Sequence, residues 1–275
     1  MNLKDKARIV ELAEAECLAD GFAAAPAVVA KDLGMSVERI GGGVATIMRN
    51  DPTGGFWSRV IGLGVEQPIT DDVVEEVIDL YSRHAMPTTL LQIGPAAEPE
   101  DWEDIVTRHG FTAGGGWVKM LRDASPPPPV DTDLRIRTLG ASDATDYGSV
   151  YWEGFGFPDP RFKAWMTGGV GRRGWVHFGA YDGDTIVAVA ATFHWQGIAC
   201  LYGAATLPSH RNRGGQSALM AARLIEAAAH GDRWVSTETG TETDEDPNPS
   251  LHNMRRMGFK EVYVRRNWIR RPQAV

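Results

Sequence analysis

The sequence predicts a mixed α/β protein made of two related units in tandem, the second of them complete. Three observations carry this reading. Strand-like apolar runs alternate with helical periodicity through both halves. Four consecutive prolines, Pro126–Pro129, stand between the halves, where neither a helix nor a central strand can pass. Glycine markers also recur, because Gly94 and Gly240 stand at nearly the same offset as Gly110 and Gly258, each of the latter pair followed by phenylalanine. The units expected are residues 1–124 and 131–275, joined by a Pro-rich linker over 125–130.

The first unit opens with MNLKDKARIVELAEAECLADGF, whose charged and apolar residues alternate as in an amphipathic helix. FWSRVIGLGV reads as a strand, TDDVVEEVIDLYSRHAM as a helix, TTLLQIG as a strand, EPEDWEDIVTRHGF as a helix and GGWVKMLRD as a strand. GGGVAT, from Gly41, lacks the preceding strand, spacing and acidic partner of a dinucleotide-binding loop. In the second unit LRIRTL is a strand, and ASDATDYGSVYWEGFGF and PRFKAWMTGGVGRRG are helical pieces. WVHFGAYDGDTIVAVAATFHW is a hairpin turning at Asp182 and Gly183. The strand IACLYGAATL leads into the helix GGQSALMAARLIEAAAH, stopped by Gly231. Gln216, Arg223, Glu226 and His230 form a narrow polar stripe on that helix. The strand RWVSTETG, the helix NPSLHNMRRMGF and the strand KEVYVRRNWI complete the unit.

Composition narrows the function. The formal charge of -8 opposes a broad nucleic-acid surface, so no nucleic-acid partner is expected, although a local anion site is compatible with it. No stretch has the apolar length of a bilayer span, and the N-terminus lacks the core and cleavage site of a signal peptide. A cytoplasmic protein without a membrane partner is expected. Two cysteines, Cys17 and Cys200, are too few for a disulfide framework or a cysteine zinc site, and no histidine pair has metal-binding helical spacing, so no metal is expected.

The most informative stretch is LPSHRNRGGQSAL, a basic glycine-bearing turn running straight into a long helix. The first amides of a helix lack internal partners and lie at the positive end of its dipole, where they suit a pyrophosphate. Gly214 and Gly215 permit close approach of the backbone, and Arg211 and Arg213 add charge. ATLPSHRNRGGQSAL, followed by a strand and by SLHNMRRMGF, resembles the acyl-CoA-binding core of the GCN5-related N-acetyltransferases (GNAT). The resemblance covers residues 131–275 in element order and, more faintly, residues 1–124. It therefore implies two GNAT-like mixed-sheet domains, with a degenerate first copy whose corresponding turn, VEQPITDD, is acidic. Arg211 and Gly214 match the family's turn, whereas Gln216 stands where the family has Gly or Ala.

By this resemblance the co-substrate is acetyl-CoA. Its pyrophosphate would meet the backbone of Arg211, Asn212, Arg213, Gly214, Gly215, Gln216 and Ser217, and its pantetheine arm would lie along Ala204, Ala205, Thr206 and Leu207, with Asn253 at its side. Amides near Ala204 and Ala205 would polarise the thioester carbonyl. Glu238, on the neighbouring strand, is the candidate general base, its bland alternative being an outward residue paired with arginine. Glu242 and Asp244–Asp246 read as a solvated loop or a lure for a cationic substrate. Many family members carry a tyrosine where this chain has Met254. Tyr202, Ser250 and Tyr263 are the substitutes, with Tyr202 the candidate acid and Ser250 also suited to capping its helix.

Tyr151, Trp152, Phe155, Phe157, Phe162 and Trp165 would wall the acceptor pocket or pack as core. The acceptor implied is a small-molecule amine. The first unit would close that pocket or form a homodimer surface. The alternative function is a non-catalytic acyl-CoA-binding module, which Gln216 and Met254 favour.

Overall fold

The computed structural model describes residues 2–271; Met1 and residues 272–275, the outer ends of the two expected units, lie outside the described residues. Asn2 accepts a 2.8 Å hydrogen bond from the Asp5 amide and so starts helix α1 (Leu3–Ala23). Next come α2 (Ala27–Leu33), β1 (Met35–Ile40), β2 (Gly43–Met48), β3 (Arg59–Ile61), α3 (Asp71–Arg83), β4 (Thr89–Ile93), α4 (Trp102–Arg108) and β5 (Thr112–Asp123). The second half runs β6 (Arg135–Leu139), α5 (Ala144–Phe155), α6 (Arg161–Thr167), β7 (Trp175–Asp182), β8 (Thr185–Trp195), β9 (Ile198–Thr206), α7 (Gly215–His230), β10 (Trp234–Gly240), α8 (Pro249–Arg256) and β11 (Lys260–Arg270). That is the element order expected for this half, within a mixed α/β fold.

The first half departs from expectation. A strand does precede Gly41, but a second strand follows it, so GGGVAT turns the β1–β2 hairpin rather than opening a helix. The short, mostly charged or half-exposed MSVERI gave no apolar run to reveal it. FWSRVIGLGV yields only the three residues of β3. In the second half, Asp182 pairs with Thr185, which moves the hairpin turn one residue on, to Gly183 and Asp184. Asn248, not Ser250, caps α8, accepting from the Ser250 and Leu251 amides.

All the strands join one sheet in the order β1-β2-β3-β4-β11-β5-β10-β9-β8-β7-β6. The last strand of each half has therefore crossed over. β5 pairs along the whole of β10 from Trp234 to Gly240, and β11 pairs with both β4 and β5. Helix α1 packs across strands of both halves on one face, sharing it with α5, while α7 and α8 cover the opposite face around Leu201, Met220 and Leu224. Since β10 otherwise holds β9 through only three residue pairs, segment 131–275 alone is expected to lack a cooperative melt by circular dichroism. A monomeric 131–275 that melts cooperatively would contradict this.

The polar stripe of α7 packs toward the protein at Gln216, Arg223 and Glu226, while His230 at its end stays exposed. Arg223 is buried and donates to the Leu219 and Ala191 carbonyls, and Glu226 lies 2.9 Å from His194, whereas Ile225 is exposed. The partners of the stripe come from β8, from the end of β9 and from the turn after α7. His194 also meets Asp232 at 2.6 Å, and His230 stacks on its ring. Burial alone would depress the His194 pKa, but the two carboxylates outweigh it and lift it to about 9.

A group whose folded pKa is raised stabilises fully below its unfolded pKa of about 6.5 and loses that contribution as pH climbs through the folded value. Stability should therefore fall between about pH 6.5 and about pH 9, by up to roughly 3 kcal/mol, and His194→Gln should flatten the decline. Denaturant melts across that window check the slope. An equal slope in the variant would assign it elsewhere.

Candidate functional site

The parallel pairing of β9 with β10 ends early. Ile198, Ala199 and Cys200 pair with Trp234, Val235 and Ser236, and beyond them β9 continues with β8 while β10 continues with β5. A wedge opens between Leu201–Thr206 and Thr237–Gly240. At its β9 end the chain passes Leu207 and a short turn, then enters α7.

This entrance has the shape an anion needs. Its cap, Gly214, supplies no side-chain hydrogen bond, so the first-turn amides stay free of side-chain competition. Gly214 has φ of 74°, and a Cβ there would lie 2.2 Å from the Asp131 carbonyl oxygen, so only glycine fits. Arg213 is committed to Asp133 and to Asp182, the latter at 2.6 Å, and thereby ties the turn to β6 and to the β7–β8 hairpin. Those two acids hold its pKa well above the ordinary value. Arg211 is exposed and donates only to the Gly154 carbonyl at 3.1 Å, which leaves it the more available cation. Gln216 donates to Thr206 Oγ1 at 2.8 Å, folding its side chain back on the end of β9. Ser217 donates to Asn253 Oδ1 at 2.7 Å and so links α7 to α8 beside the wedge.

Within β9 a bulge interrupts the pairing. Ala190 faces Ala204, whereas Ala191 faces Tyr202, leaving Gly203 unopposed with φ of 34°. A Cβ on Gly203 would sit 2.4 Å from the Tyr151 hydroxyl, so that phenol abuts the bulge from α5. Burial pushes the hydroxyls of Tyr151 and Tyr202 well above the usual tyrosine range, which keeps both protonated as donors. Tyr202 packs edge-on against Trp175, on the α1 side of the sheet. Tyr263 is spent on Glu11 at 2.7 Å, and Ser250 is exposed on α8. Met254 is buried core.

Glu238 lies on the α1 side, not outward. It accepts from Arg265 at 2.6 Å and from Lys119 at 3.3 Å. The same two cations hold Glu11 and Glu14 of α1, so three carboxylates and two cations form one buried network. Burial raises the Glu238 pKa, against the pull of Arg265 and Lys119. Glu238 is also the most open of these five side chains, 19% exposed against 9% or less for the rest. Glu242 is drawn off to Arg255 and His252, leaving Asp244–Asp246 as an exposed loop.

The predicted aromatic wall divides. Phe162 and Trp165 are core, Phe155 is exposed, and Tyr151, Phe155, Phe157 and Phe162 stack in succession. Trp57, from the first half, meets Phe157, Phe162 and Trp165 with centroids 6.2, 6.1 and 4.7 Å apart. Sequence reasoning missed Arg59, Trp117 and Lys119 of the first half. The available signal was a charge set among apolar strand residues in WSRVI and WVKML. Cys17 and Cys200 are free and buried, and the Cys17 thiol is raised first by burial and then by its neighbour Cys200. Sequence separation hid that proximity.

The chain combines a splayed parallel strand pair, a bulged strand and a glycine-capped helix, and comparison with solved structures shows that its fold is that of GCN5-related N-acetyltransferases. A GCN5-related N-acetyltransferase from Kribbella flavida aligns at TM-score 0.65 and 16% identity over 98% of this chain and 96% of its own. A tandem GNAT protein from the clavulanic acid biosynthesis pathway aligns at 0.59 and 16% identity, over 87% of this chain and 85% of its own. A GCN5-related N-acetyltransferase from Sphaerobacter thermophilus aligns at 0.58 and 20% identity, over 73% of this chain and 66% of its own. No family model and no curated protein matches the chain. Among the described residues, no helix is long and apolar enough to cross a membrane.

Proposed function

We propose that the protein is an N-acetyltransferase that moves the acetyl group of acetyl-CoA directly to the amine of a small molecule. The observation that supports this most is the wedge between β9 and β10, which ends at a helix entrance free of side-chain capping. In this reading the first amides of α7 and Arg211 hold the pyrophosphate, Gln216, Ser217 and Asn253 border the pantetheine arm, and Ala204–Leu207 run beside it. Arg213 shapes the turn through its two acids. The acceptor nitrogen attacks the thioester carbonyl, Glu238 takes the amine proton directly or through water, and amides at the Gly203 bulge stabilise the oxyanion. As the C–S bond breaks, the thiolate gains a proton from Tyr202, with Tyr151 the neighbouring donor. The first half, through Trp57, closes the acceptor side.

The test is acetyl-CoA-dependent thiol release with the full chain across a panel of primary amines. Release that depends on amine supports the reading. A second reading, an acyl-CoA-binding module, is favoured by the two cations already paired with Glu238 and by Met254 in the core. Acetyl-CoA binding with no release on any amine would select it and sink the first.

A further inference from the structure

Among the described residues, the Arg59 side chain makes no hydrogen bond, whereas the other buried cations, Lys119, Arg122, Arg223 and Arg265, each make at least one. Arg59 lies on β3, shares the α1 face with Ile61, and is 5% exposed. Its Nε has no hydrogen-bond partner, and among the described residues no carboxylate pairs with its guanidinium. Arg265, by contrast, engages Glu11, Glu14 and Glu238. Glu14 and Glu238 lie within the field of Arg59 but do not hydrogen-bond it, and leaving a buried guanidinium unbonded is costly, a cost relieved when a ligand supplies an acceptor.

The surroundings say what that ligand is. The guanidinium carbon sits 4.9 Å from the Phe56 ring centroid and 6.0 Å from those of Trp57 and Trp117. Phe56 is 40% exposed, so this aromatic nest opens to solvent. Trp117 pairs with Gly240, the last residue of the wedge's β10 edge, and Lys119, two residues on and on the same face, pairs with Glu238. The positive field of Arg59 reaches Glu14 and Glu238 as well as Tyr151 and Tyr202. One side of the site thus offers a guanidinium without hydrogen-bond partners in an aromatic nest and the other a carboxylate.

We infer that Arg59 is the anchor for a carboxylate on the acceptor, and that the acceptor is an apolar amino acid whose ammonium faces Glu238 while its side chain lies among Phe56, Trp57 and Trp117. A planar guanidinium suits a carboxylate bidentately, and the rings exclude competing water. The amine end rests on the acetyltransferase reading. The carboxylate subsite is read by binding alone.

The experiment is isothermal titration of the full chain, with CoA present, using paired probes that differ only in the carboxylate: phenylalanine against phenethylamine, and leucine against isoamylamine. At least one amino acid of the two pairs is expected to bind roughly tenfold or more tightly than its amine. The ratio should fall to about one in Arg59→Met and stay intermediate in Arg59→Lys, which keeps the charge and loses the fork. Melting with acetyl-CoA checks that each variant is folded, and Arg59→Lys alone carries the comparison if Arg59→Met is not.

The inference is overturned if the amines bind as tightly as the amino acids, if neither amino acid binds, or if the preference survives undiminished in the folded variants. Carboxylate preference without any acetyl-CoA shift would overturn the acetyltransferase reading and leave the Arg59 subsite standing. An acetyl-CoA shift without preference does the reverse.

Discussion

An Arg265→Met variant is expected to lose about 3–5 kcal/mol of stability, the range found when one member of a buried ion network is removed. Arg265 is fully buried on β11 and donates to Glu11 at 3.0 Å, to both oxygens of Glu14 at 2.9 and 2.8 Å, and to Glu238 at 2.6 Å. Without it, three carboxylates share the single cation Lys119. Urea denaturation should show a lower midpoint with an unchanged slope. Glu14→Leu in the same chain should restore part of the loss, because it removes a charge left unpaired. A loss of unfolding free energy of less than about 1 kcal/mol would show that the network carries little net stability.

The second large effect concerns rate. Glu238→Gln is expected to lower kcat roughly 10²–10⁴-fold, the range that a positioned proton acceptor contributes. Gln keeps an oxygen for Arg265, so the fold should hold. The direction of the pH dependence follows from the raised Glu238 pKa: the base is active only when ionised, so the wild-type rate should fall as pH drops through that pKa. The acid limb should vanish in the variant. A variant that keeps both the rate and the limb would transfer the proton-accepting role to another group.

The parts of the molecule legible in the sequence are those set locally. The glycine-led entrance to α7 was readable because a glycine cap and a run of helix formers leave a local pattern, and the second half's element order followed from punctuation by Gly and Pro. The β1–β2 hairpin escaped because MSVERI mixes charge into a half-exposed strand. The partners of the α7 polar stripe, Thr206, His194 and Asp232, were not legible because they lie on other elements. The strand crossover was invisible for the same reason, since β5 pairs with β10 across more than 100 residues, a separation at which no local pattern operates.

Glu238 was legible as a residue beside the wedge, but not as part of a network reaching to α1. A helix beginning at residue 3 and a strand ending at residue 270 bring Glu11, Glu14 and Arg265 together, and α1's acids read as solvent-facing until that pairing is known. Arg59 was likewise missed, because its meaning lies in the hydrogen-bond partner it lacks and in rings brought to it by the fold.

The most direct test of the central claim, that the α7 entrance holds the pyrophosphate of an acyl-CoA, is thermal melting of the wild type and Gln216→Glu with and without acetyl-CoA. A carboxylate in the first turn of α7 favours the helix dipole, so the variant alone should melt at or slightly above the wild type, while the same charge repels a pyrophosphate. Acetyl-CoA at 100 times its dissociation constant should add roughly 2.7 kcal/mol to the wild type and much less to the variant. Equal shifts in the two proteins, or no shift in either, would contradict the claim.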